Sequence, residues 1–168
     1  MQTRRNSFAS LGALALAKPA LGAPPPWKAG TAEIPITPRK PLWMWGFSAR
    51  TKPSEGAIRG LYAKALALED ESGRRAVLVT TDLLGFPAVI AKAIAEQAEK
   101  QYRLPRDRLI LNSSHTHCGP ALATPRRILI GARISAEQWR DLEDYTRELE
   151  GQVVAVIGAA LKDLRPAR

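Results

Sequence analysis

The apolar positions switch between a period of two and a period near 3.6 along the chain. Residues 75–81 form a nearly continuous apolar run bounded by turn residues, which predicts a strand. Residues 61–69 predict another, despite their alanines. Asp70-Glu71-Ser72-Gly73 lies between them and supplies turn chemistry, so the pair reads as a β-hairpin. Beyond Pro87 the spacing changes. Val89, Ile90, Ala93, Ile94 and Ala98 share one helical face. Pro87 suits the first helical position, where a missing N–H costs nothing. The helix is expected to end near Tyr102, because Pro105 follows. Residues 108–113 predict the next strand. Strand, helix, strand in this order reads as a βαβ unit, with parallel strands joined by a right-handed crossover.

The flanks complete the pattern. Residues 32–36 alternate as a short strand, and Pro35, which cannot donate to a ladder, argues for an edge position. Trp43, Trp45 and Phe47 mark an aromatic-rich loop or short strand, serving either the core or an apolar wall beside a cleft. Residues 121–134 show no period. Ser135 and Gln138 have capping-box spacing. A long amphipathic helix follows, with Trp139, Leu142, Leu149, Val153 and Ile157 at three- and four-residue steps. Gly151 and Gly158 are points where it would bend or loosen, and Pro166 would stop it. Its apolar stripe needs a covering surface, which the sheet can supply. The fold class is therefore α/β, a mixed sheet with a βαβ unit and packed helices.

Composition narrows the class. The chain has 168 residues, 45% hydrophobic and 24% charged, which suits one folded domain. Its single cysteine excludes an internal disulfide framework. The net charge of +9 suggests anionic partners. The bases are dispersed, however, and the densest pairs are Arg4-Arg5, Arg74-Arg75 and Arg126-Arg127. No nucleic-acid partner is expected. Residues 1–23 read as an export signal: Arg4-Arg5, a short apolar run, then small residues. The arginine pair resembles a twin-arginine signal, so the expected location is periplasmic or secreted. Removing these residues takes away Arg4, Arg5 and Lys18 and leaves +6. Residues 24–28 read as a Pro-rich linker, and 29–168 as the folded domain.

Candidate chemistry is concentrated in Ser114-His115-Thr116-His117-Cys118-Gly119-Pro120, which holds both histidines and the cysteine. In an extended segment, His-x-His puts both imidazoles on one face. Both could then meet one metal, one could meet a metal and the other a substrate, or neither could do more than line a loop. The βαβ geometry brings Asp82 and His115 just past strand carboxyl ends, where open α/β folds place ligands. Asp82 either orients a histidine or caps the local loop or helix. Cys118 is a packing residue, a free thiol or a ligand.

The segments 32–38, 61–70 and 76–85 and the motif His115-Thr116-His117-Cys118-Gly119-Pro120, in this order, resemble the N-terminal part of the neutral/alkaline non-lysosomal ceramidase family. That family usually reads Thr-His-Thr-His-Ser-Gly-Pro. Ser114 and Cys118 are the departures here, and Arg59-Gly60 stands where an aspartate is usual. The resemblance implies a zinc-dependent amide hydrolase that cleaves N-acylsphingosine to sphingosine and a fatty acid. It maps a Zn2+ ligand onto His115 and the residue that meets the substrate carbonyl onto His117. It implies a lipid amide substrate and contact with a membrane surface. The family's other ligands, a histidine, a glutamate and a tyrosine, come from later in its chains, and this sequence holds no third histidine. The expectation is therefore an incomplete part of a larger layered α/β domain, lacking a C-terminal half. The alternatives are a folded non-catalytic remnant and a basic module for anionic surfaces.

Overall fold

The computed structural model describes residues 26–124 and 134–167. The export-signal expectation for 1–23 and most of the aperiodic stretch 121–134 fall outside them. Strands β1 (Trp27–Pro35), β2 (Tyr62–Glu69), β3 (Arg75–Thr81), β4 (Leu109–Ser113) and β5 (Arg165–Ala167) form one sheet in the order β4-β3-β2-β1-β5. Helices α1 (Ala88–Tyr102) and α2 (Ala136–Lys162) complete the architecture. β2 and β3 pair antiparallel, and β3 and β4 pair parallel, as the hairpin and βαβ readings require. The sheet is mixed and the class is α/β.

The hairpin is closed by its aspartate. Asp70 Oδ1 accepts from the Ser72 and Arg74 backbone N–H groups, both at 2.9 Å, and from the Ser72 hydroxyl at 2.7 Å. These bonds satisfy turn donors that would otherwise need water. β1 begins at Trp27, earlier than its alternation suggested, because β5 pairs with Trp27, Lys28 and Ala29. β5 covers only those residues, so among the described residues no strand pairs with Pro35 on the side of β1 away from β2.

The core lies between one sheet face and the two helices. Ala63, Ala65, Ala67, Val77, Val79 and Leu109 point from the sheet toward Ile90, Ile94, Leu142, Leu149, Val153 and Ile157. The β2 alanines are small where α2 lies against the strand, which explains a strand built from poor strand formers. Each fully buried leucine or isoleucine contributes about 1.5–3 kcal/mol of transfer free energy.

α1 ends at Tyr102 as expected, but its start and the end of α2 differ from the sequence reading. Pro87 is the N-cap of α1, one position before the predicted place, with φ −54° and ψ 142°. Pro166 does not stop α2. The helix ends at Lys162, and Pro166 lies in β5. α2 also runs through Gly158, which was expected to loosen it. A Cβ there would meet the Tyr102 ring at 2.3 Å, so glycine seats the end of α1 against α2. At the other end, the capping box forms as predicted, with Ser135 Oγ accepting from Gln138 N and Gln138 Oε1 from Ser135 N.

Candidate functional site

The motif begins where β4 ends. Ser114 donates its N–H to the Thr81 carbonyl at 2.9 Å, which keeps the chain beside β3 at the carboxyl edge of the parallel pair. Asp82 leaves β3 at the same edge. Its carboxylate, however, does not meet a histidine. Asp82 Oδ2 accepts from Tyr62 N at 2.9 Å while Asp82 N donates to Tyr62 O at 3.0 Å. It locks the open end of the β2–β3 pair, so its hydrogen bonds neither orient a histidine nor cap the following helix.

The two histidines do not sit in an extended segment. His115 has φ 58°, in the left-handed region, so alternation of strand side chains cannot account for their placement. The rings nevertheless come together, with centroids 5.4 Å apart at 68°. His115 Nδ1 lies 2.8 Å from the Leu84 carbonyl oxygen. A carbonyl only accepts, so Nδ1 carries the proton in the neutral ring and Nε2 keeps its lone pair. Metal-binding imidazoles commonly donate their other ring N–H to a carbonyl in this way.

His117 is held differently. Its ring meets Phe47 edge-on at 4.9 Å. Arg50 clamps the backbone beneath it: Nη2 donates to His117 O at 2.8 Å and Nη1 to Trp45 O at 3.0 Å. The guanidinium also lies 5.0 Å from the Phe47 ring centroid. Gly46, at φ 107°, passes so close that a Cβ would fall 2.4 Å from His117 Cγ. Further bonds tie the loop to the motif, from Trp45 N to Gly119 O and from Ala121 N to Trp43 O. Residues 43–50 thus form the cradle of the motif.

The aromatic group divides its roles. Trp43 is core, while Phe47 is 56% exposed beside His117. Gly46 and Arg50 were missed in the sequence, where nothing local ties them to a motif nearly seventy residues away. Cys118 is exposed, which corrects its reading as a packing residue. Its N–H donates to Thr116 Oγ1 at 3.2 Å.

Catalytic zinc takes about three protein ligands and an open position. Among the described residues no group of three or more His, Cys, Asp or Glu could hold a metal. His115 fits one ligand place by its hydrogen bonding, but the described residues do not complete a site.

No family model matches the chain, and no curated protein matches it. Solved structures do. The chain is similar to neutral ceramidase from Pseudomonas aeruginosa at 22% identity and a TM-score of 0.69, over 84% of this chain and 22% of that one. It is similar to a ceramidase complexed with C2 at 20% identity and a TM-score of 0.63, with the same coverage. The likeness establishes a ceramidase-like fold for this unit, which spans 22% of the length of those chains.

Proposed function

We propose that this chain is the N-terminal part of a zinc-dependent amide hydrolase of the neutral ceramidase type, acting on N-acylsphingosine. One observation carries the reading. His115 donates from Nδ1 to Leu84 O, which leaves Nε2 available at the sheet edge with the His117 ring beside it. In this reading His115 is a zinc ligand, and the remaining ligands come from polypeptide beyond these residues. Bound zinc supplies a Lewis acid that makes a nucleophile from water near neutral pH. The chain's own part is to fix the His115 tautomer and to hold His117 as a donor to the oxyanion of the tetrahedral intermediate. The ceramidase-like fold supports the assignment, and exposed Phe47 beside His117 supports an apolar acyl substrate presented at a membrane surface.

The test is zinc titration of the 15N-labelled chain. Zinc is expected to shift His115 Nε2 strongly, and the response should vanish in His115→Ala. A His115 signal unmoved by saturating zinc would sink the proposal. A second reading, a folded unit without turnover, is favoured by the missing third ligand among the described residues. Hydrolysis of N-acylsphingosine by the zinc-loaded chain, lost in His117→Ala, would exclude that reading. Zinc binding without hydrolysis would support it for these residues alone.

A further inference from the structure

Three interactions meet at one guanidinium. Arg50 Nη2 donates to His117 O at 2.8 Å, Nη1 donates to Trp45 O at 3.0 Å, and the guanidinium carbon lies 5.0 Å from the Phe47 ring centroid. Arg50 N also donates to Phe47 O at 3.3 Å and closes a turn. A planar fork serves two carbonyls with its edge and an aromatic ring with its face at the same time, which a point-like ammonium does not.

Burial does not explain why Phe47 stays beside His117. The ring is 56% exposed, and Ser48 and Ala49 next to it are exposed as well. Solvent exclusion therefore gives this turn little preference for one position. Among the described residues, the bond from Arg50 Nη2 to His117 O is the single hydrogen bond by which residues 46–50 reach the motif. His117 in turn takes its edge-on ring contact from Phe47. His115 is anchored elsewhere, by Nδ1 to Leu84 O on the segment that leaves β3. The two imidazoles lie 5.4 Å apart but hang from different parts of the chain.

We propose that Arg50 is a positioning residue for the amide hydrolysis. It sets the spacing between the donor His117 and the apolar contact Phe47, and it acts on His117 without acting on His115. Its place in the reaction rests on the hydrolase reading, whereas its hold on the His117 ring does not. The spacing has a chemical meaning. With the ring centroids 4.9 Å apart, a carbonyl that meets His117 has its alkyl substituent within van der Waals reach of Phe47. The arrangement suits an acyl group that is apolar from its first carbons.

NMR of the labelled full chain tests it, with Phe47→Leu defining the His117 ring signals without the Phe47 ring current. In Arg50→Ala, the His117 ring should lose at least half of that ring-current shift. The His115 ring signals should stay in place, and the zinc midpoint read at His115 should stay within twofold of wild type. Arg50→Lys keeps the charge but lacks the fork, and should behave as the alanine variant does. An unmoved His117 in Arg50→Ala overturns the proposal. So does equal movement of both histidines, which would make Arg50 a general support of the fold, or a lysine variant that holds His117 as wild type does. Should Arg50→Ala fail to fold, the wild-type Arg50 Nη signals decide: slowly rotating, separate NH2 groups are expected, and one averaged signal overturns the proposal. A His115 that ignores zinc would sink the hydrolase reading instead, and leave the hold on His117 to be judged by these shifts.

Discussion

His115 Nδ1 sits 2.8 Å from the carbonyl oxygen of Leu84, thirty-one residues earlier in the chain. The bond joins the segment after β3 to the segment after β4 and dictates which ring nitrogen is free. Neutral His115 is expected as the Nδ1–H tautomer. Long-range 1H–15N spectra check this directly, because the chain has only two histidines to assign. A dominant Nε2–H form would contradict the geometry.

Gly46→Ala is expected to disturb the site and the fold together. The new Cβ would lie 2.4 Å from His117 Cγ, at a backbone φ of 107° that side chains disfavour. Overpacking of this kind costs about 1–3 kcal/mol. Urea denaturation should show that loss, and the Phe47 ring-current shift on His117 should change with it. A variant with both unaltered would mean that the cradle does not hold the ring.

Tyr145 ties α2 to the end of β1. Its hydroxyl donates to Ile36 O at 2.8 Å inside the core. Tyr145→Phe keeps the ring but strands that carbonyl, a loss of about 1–3 kcal/mol. Thermal unfolding measures it. Burial also pushes the Tyr145 phenol well above its usual range, with the Glu148 charge adding to the effect. Folding favours the neutral phenol, so stability should fall as pH rises past the value at which the unfolded tyrosine ionises, about 10. Tyr145→Phe should flatten that alkaline limb.

Asp70 predicts the acid limb. The Ser72 hydroxyl hydrogen bond, followed by bonds from Arg74, holds its carboxyl far below the usual carboxylate range, against an opposing push from burial. The stabilisation is fully present above the unfolded value of about 3.9 and drains away as pH falls from there through the folded value. Asp70→Asn should lower the urea midpoint at neutral pH and remove this part of the acid dependence. Parallel wild-type and variant midpoints between neutral pH and acid would show that the turn bonds contribute nothing.

Where one element's own pattern carried the information, the sequence was sufficient. The run 75–81 became β3 with the same bounds, because a continuous apolar strand has few alternatives. The capping box appeared where Ser135 and Gln138 stand three residues apart, since a cap is a local bond. Clustering of both histidines in one short motif was likewise visible without coordinates. Tertiary structure decided what depends on distant partners. β5 exists because β1 offers it an edge, and nothing in Arg165-Pro166-Ala167 alone signals a strand. Gly158 looks like a helix weakness until the Tyr102 ring appears beside it. His115 leaves the extended region, and its tautomer is set by a carbonyl from another segment, while Arg50 and Gly46 support His117 from across the fold. Periodicity records which face a residue buries. It carries no information on which atom from a remote segment will meet it, and the candidate site is built from such meetings.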